Sequence, residues 1–362
     1  MARASREAFA DPSRQHREGA RARLLRDAAH DSIATGLGVP REQLTLHSSR
    51  TAATRYAIYG LLHGSDVPPA IAVGAADHSD VLHAADAALA PPSRPGQRLS
   101  VLTDAPPTAT RIDVDTQGRL SPDDLAEHVR RGRWSAVTTQ TANQEVGSRP
   151  ALTSIAGICA GAGVPLLVDA AATAAWEPLP HVGDVLIADA AQWGGPRGVG
   201  VVVVRPGVRF RPPSVVTPPS IADVPAIVAA AAALEAVRAD ATSAVRAHEQ
   251  ISRIRDALAQ IDDVDLLGDP VDRAPHIVTA SFLYVAGEAI VTELDRRGVS
   301  VGSGSACSSD TLEPSHVLAA MGALTHGNVR IAVMPETTDA EVDQLLSALP
   351  EVVAELRGGA LQ

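Results

Sequence analysis

Pro165-Leu-Leu-Val-Asp169, Asp184-Val-Leu-Ile187 and Val199-Gly-Val-Val-Val-Val204 follow one another in a single stretch of the chain, as short aliphatic runs set among charged, proline and glycine residues. Continuous apolar runs, as opposed to alternating ones, are typical of strands covered on both faces. Two earlier runs, Ala70-Ile-Ala-Val73 and Ser135-Ala-Val-Thr-Thr139, have the same character, and helical patterns lie at 79–89, 122–131 and 152–162. Ser121-Pro122-Asp-Asp124 reads as a helix start, with serine at the cap, then proline and acids in the first turn. Strands alternating with helices predict an α/β fold in which a mostly parallel sheet lies between helices.

Proline dominates 205–225 and predicts a surface loop, after which an alanine-rich helix is expected from about 223 towards 261. A strand at 276–285, a helix at 288–297, a strand at 328–333 and a last helix at 338–356 predict a smaller α+β unit. The expected division is therefore a large domain over 1–240, with packing of its N-terminal segment on the small domain left open, and a small C-terminal domain over 241–362 that carries the Cys307 loop.

The 362-residue chain contains no lysine. All 31 basic side chains are arginine, against 42 aspartates and glutamates, which gives a net charge of -11. That balance argues against nucleic acid as a partner, because phosphate neutralisation needs a concentrated basic surface. The arginine-dense stretch 14–26 is interleaved with Glu18 and reads as a solvated helix face. Two cysteines, Cys159 and Cys307, cannot make a disulfide framework, and a chain of this length needs none. The N-terminus has no apolar signal core, and no stretch reads as a membrane span, so a cytoplasmic protein is expected.

Gly302-Ser-Gly-Ser-Ala-Cys307-Ser-Ser-Asp-Thr-Leu-Glu313-Pro-Ser-His-Val317, followed by Asn328-Val-Arg330, resembles the loop that carries the persulfide-forming cysteine in the cysteine desulfurase branch of the class V aminotransferases. The resemblance runs from about residue 11 to about residue 346. It implies the type I fold of pyridoxal-phosphate enzymes, with a seven-stranded sheet in the large domain, and a homodimer. It also implies roles for single residues. Asp169 matches the aspartate that pairs with the pyridine nitrogen of the cofactor, and His78 the histidine that stacks on its ring. Asn143 matches the asparagine near the ring hydroxyl, Arg330 the arginine that grips a substrate carboxylate, and Thr51 a surviving member of the phosphate turn.

The departures from the family pattern are grouped. Gln192 replaces the Schiff-base lysine and Ala191 the histidine before it, Asp189 stands where the family has a phosphate-binding serine, and Ala172 replaces a ring-supporting glutamine. The phosphate turn becomes Ser48-Ser-Arg50-Thr51-Ala52, and a glycine-rich stretch supplied across the family's dimer becomes the proline-rich 212–221. A Schiff base needs a primary amine on a side chain, so covalent pyridoxal phosphate is not expected and ordinary desulfuration is not expected either.

Three readings stay open at this point. Cys307, between small residues, carries or accepts a persulfide or serves a small sulfur-containing ligand held by Arg330. Alternatively, the vacated cavity holds noncovalent pyridoxal phosphate, or a metal or iron-sulfur cluster for which Cys307, His78, Asp169 and Asp189 are the candidate ligands. In the third, the chain is a noncatalytic partner of an active desulfurase or of a sulfur acceptor. Cys159, among Ile155, Ile158 and Ala160 of a packed helix, is expected to be inert.

Overall fold

The structure, a computed structural model, describes residues 2–90, 108–212, 223–303 and 314–359. The chain divides into two compact units. The first comprises Met1–Ile112, Pro122–Thr141 and Ala151–Ala241, and the second Asp113–Ser121, Ala142–Pro150 and Thr242–Gln362. Two short internal segments, 113–121 and 142–150, thus belong with the C-terminal part of the chain. No sequence signal in those segments marks the exchange.

The first unit runs α1 (Ala2–Glu7), α2 (Arg17–Leu37), β1 (Leu44–His47), α3 (Arg50–Gly64), β2 (Ala70–Gly74), α4 (Ser79–Leu89), β3 (Thr108–Ile112), α5 (Pro122–Arg131), β4 (Ala136–Gln140), α6 (Leu152–Ala162), β5 (Leu166–Asp169), β6 (Val185–Asp189), β7 (Gly200–Val204) and α7 (Val224–Ala239). Its seven strands lie in the order β1-β7-β6-β5-β4-β2-β3. Neighbours from β6 through β3 are parallel, and β7 is antiparallel to both β6 and β1. Every residue of β4, β5 and β6 is buried, which is why these strands read as unbroken apolar runs. Ile58 and Leu61 of α3 and Val81 and Leu82 of α4 pack with Ile71, Val73, Leu167, Val185 and Val202 of the sheet in one core cluster.

The N-terminal segment packs within the first unit, where α1 lies on α7 and Glu7 accepts from Arg21 of α2 at 2.8 Å. One expectation is corrected here. The predicted long alanine-rich helix is two helices, because Asp240 leaves helical geometry at φ -95° and ψ 87° and the boundary between units falls just after it. Alanine propensity spans such a break without marking it.

The second unit contains α8 (Ser243–Leu258), β8 (Val264–Leu267), β9 (Ile277–Phe282), α9 (Gly287–Arg296), β10 (Gly302–Ser303), α10 (His316–Ala320), β11 (Asn328–Ala332) and α11 (Asp339–Gly359). Its sheet has the order β10-β11-β9-β8, with every neighbouring pair antiparallel. The strand predicted over 276–285 stops at Phe282, where the chain turns with Tyr284 in the left-handed region at φ 67°. Among the described residues no helix is long and apolar enough to cross a membrane.

Candidate functional site

The parallel strands of the first unit all end at one edge of the sheet, the usual place for ligand chemistry in open α/β sheets. Asp169 closes β5 and Asp189 closes β6. Asp77 and His78 follow β2, and β1 ends at His47 opposite Gly200, the residue that also pairs with Asp189. A β-carbon at Gly200 would lie 2.3 Å from the Ser49 carbonyl oxygen, so glycine in β7 is what lets the start of α3 settle onto this edge. Ser49 caps α3 by accepting from the Ala52 amide at 3.0 Å, and the next residue, Arg50, begins the helix.

Arg50 decides the chemistry of this edge. Its guanidinium donates to Asp169 Oδ2, in a pair whose side chains are 10% and 3% exposed, and its Nε lies 3.5 Å from Asp80 Oδ2. Asp80 also accepts from Thr51 Oγ1 at 2.9 Å, and its backbone amide donates to His78 Nδ1 at 3.1 Å. The second oxygen of Asp169 accepts from the Ala171 amide at 3.0 Å. Asp189 caps the turn Ala190–Trp193 by accepting from the Ala191 amide at 3.2 Å, and Gln192 sits half-buried in that turn. Burial pushes the Asp189 carboxyl up, against the Ala191 hydrogen bond and the field of Arg50. Asp77 accepts from Thr138 and from the Gly74 amide; burial, with the nearby Asp169 adding to it, pushes its carboxyl up to about 7.

Thr51, His78, Asp169 and Asp189 are therefore brought to one place, with Arg50, Asp77 and Asp80 among them. The altered phosphate turn is visible in the sequence, whereas the part Arg50 plays in it is visible only in the fold. The available signal was paired: a cation enters the turn that should take an anion, and an anion enters at Asp189.

In the second unit, Asn143 and Arg330 form a separate arrangement. Asn143 Oδ1 accepts from the amides of Glu145 and Val146, at 2.9 and 3.0 Å, and shapes the turn that follows it. Arg330 of β11 is opposite Gly302 of β10, half-buried, and donates to the Gln144 carbonyl at 3.3 Å. Glu145, 8% exposed, accepts from Ser315 Oγ at 2.8 Å. Burial pushes its carboxyl up to about 7, against the Ser315 hydrogen bond and the field of Arg330. Cys307 lies outside the described residues, as does most of the proline-rich stretch. Cys159 is buried in α6, and burial, with Asp184 adding to it, pushes its thiol up to about 12.

A class-V aminotransferase family model matches residues 2–217 and 217–345. The chain belongs to the class-V aminotransferase family. A cysteine desulfurase of Cereibacter sphaeroides is 31% identical, with 97% of this chain and 90% of that protein covered. One of Nostoc sp. is 29% identical, with 96% and 87% covered. Among solved structures, a NifS-like protein superposes with a TM-score of 0.81 at 22% identity, covering 97% of this chain and 93% of its own, and so shows the same fold.

Pyridoxal phosphate, the cofactor associated with class-V aminotransferases, does not fit the residues present in the roles the resemblance implies: the chain has no lysine to hold its aldehyde, the Asp169 oxygen expected to meet a pyridinium N–H is engaged by Arg50, and a carboxyl, Asp189, stands at the position expected to donate to the phosphate. Among the described residues no group of three or more His, Cys, Asp or Glu side chains is arranged to hold a metal ion.

Proposed function

We propose that this class-V aminotransferase handles sulfur as a persulfide carrier at Cys307, without pyridoxal-phosphate catalysis. The observation that carries the reading is the buried Arg50–Asp169 pair, which takes up the carboxylate the cofactor would need, in a chain whose relatives are cysteine desulfurases.

The catalytic residue of the proposal is Cys307, and the co-reactant is a small persulfide donor. The Cys307 thiolate attacks the terminal sulfur of the donor, an Sγ–S bond forms, the donor S–S bond breaks, and its electron pair leaves on the donor thiolate. The proton stays on the transferred sulfur, so no oxidant or reductant is required. Arg330 is the group we assign to a donor carboxylate, since a planar guanidinium suits bidentate contact. The unit we propose in solution is a homodimer.

Polysulfide treatment of the folded protein followed by mass mapping tests the reading. The expected result is a sulfur adduct at Cys307, none at Cys159, and no sulfide released from cysteine when pyridoxal phosphate is added. Equal or preferential labelling of Cys159 would leave a noncatalytic partner role in its place, and steady sulfide release would return the chain to ordinary desulfuration.

A further inference from the structure

The resemblance puts the cofactor's pyridinium at Asp169 and its phosphate at the position of Asp189; in this chain the Arg50 guanidinium pairs with Asp169, and a carboxyl closes β6 at Asp189. We propose that Arg50 and Asp189 are covalent replacements for the two charged ends of the cofactor, so that the site is filled from within and the native chain takes no external ligand there. The pairing is chemical as well as spatial. A guanidinium, like a pyridinium, is planar, delocalised and singly positive, and offers an N–H to a carboxylate. Arg50 gives that N–H to Asp169 Oδ2 while its Nε faces Asp80.

At the other end, the Asp189 carboxylate accepts from the Ala191 amide at the start of a turn, a use of backbone N–H to which a phosphate oxygen is equally suited. The start of α3 carries the positive end of a helix dipole, which by itself disfavours an arginine there. Asp80 and Asp169 on either side of the guanidinium overcome that disfavour. The inference is independent of any chemistry at Cys307.

A side chain that replaces a ligand leaves a ligand-shaped need when it is removed. Arg50→Ala strands Asp80 and Asp169 beside an empty space and should lower the melting temperature by about 6–20 °C, the range expected when one partner of a buried ion pair is lost from a unit of this size. Guanidinium chloride at about 20 mM should restore at least about half of that loss, while sodium chloride at the same strength restores none and neither salt raises the melting temperature of the unmutated chain.

Arg50→Met, which keeps bulk without charge, should show a loss but no response to guanidinium. Asp169→Asn added to Arg50→Ala should recover part of the loss by removing the stranded charge, and it keeps the test decisive if the single variant folds poorly. Pyridoxal phosphate should neither shift the melting temperature of the unmutated chain nor give an absorbance band. The proposal is overturned if Arg50→Ala melts with the parent, if guanidinium does no more than sodium, if the double variant is no more stable than the single, or if pyridoxal phosphate stabilises the parent.

Discussion

At the scale of single residues, the missing lysine is the visible change and the Arg50–Asp169 pair the consequential one. Gln192→Lys puts a primary amine at the position the resemblance gives to the Schiff-base lysine but leaves Asp169 engaged by Arg50 and the Asp189 carboxyl in place. The expected outcome on adding pyridoxal phosphate to that variant is no stable absorbance band and no sulfide release. A clear band from the single substitution would show that the ion pair yields to the cofactor. Combining Gln192→Lys with Arg50→Ala and Asp189→Ser removes the guanidinium and the carboxyl proposed to fill the site, and the triple variant is the one expected to show a band. Cys159 illustrates a residue whose chemistry was legible from its neighbours. Ile155 and Cys159 lie on the buried face of α6, and a thiol pushed up to about 12 holds almost no thiolate at neutral pH, so iodoacetamide should modify it only after unfolding.

At the scale of elements, the contact between the start of α3 and β7 holds the charged edge together. Gly200→Ala places a methyl against the Ser49 backbone carbonyl, which cannot swing aside as a side chain can, and should destabilise the first unit by about 1–3 kcal/mol. Ser49→Ala removes one capping hydrogen bond and should cost about 1 kcal/mol. Trp134, Trp176 and Trp193 all belong to the first unit, so denaturation followed by tryptophan fluorescence reads both losses. A Gly200→Ala variant as stable as the parent would mean that α3 is free to shift.

The same elements show what sequence can reveal. β5, β6 and β7 were legible because strands covered on both faces have no polar alternation to obscure them. β1 is four residues long and β10 two, too short for any period to register. Arg50 and Asp169 are separated by 119 residues, so their pairing is a product of topology and no local pattern encodes it. Asp189 and Gln192 were legible as departures from a family pattern, whereas Asp77 and Glu145 became noticeable only with their burial.

At the scale of the whole molecule, each unit buries ionisable groups away from water, and this ties stability to pH in a way that one variant can isolate. In the second unit, burial holds the Glu145 carboxyl up at about 7, against an ordinary value of 4.5. Between those two values the folded chain keeps a proton that the unfolded chain has released. The contribution of Glu145 is therefore present below pH 4.5 and is lost as the pH rises to about 7, at about 1.4 kcal/mol per pH unit.

His276 works in the opposite sense. Burial, with Arg149 and Arg330 adding to it, pushes its imidazole down to about 3, so the unfolded chain binds the extra proton from there up to 6.5 and stability rises with pH across that window. The two slopes offset each other from about pH 4.5 to 6.5. Glu145→Gln keeps an acceptor for Ser315 and abolishes only the falling slope. The stability of that variant relative to the parent should therefore climb steadily with pH from 4.5 to about 7, as measured by amide exchange over β9, which lies wholly in the second unit. A difference between variant and parent that stays constant over that range would show that Glu145 titrates as an ordinary, solvated carboxyl, and that the 142–150 segment is more open to water than its burial in this fold indicates.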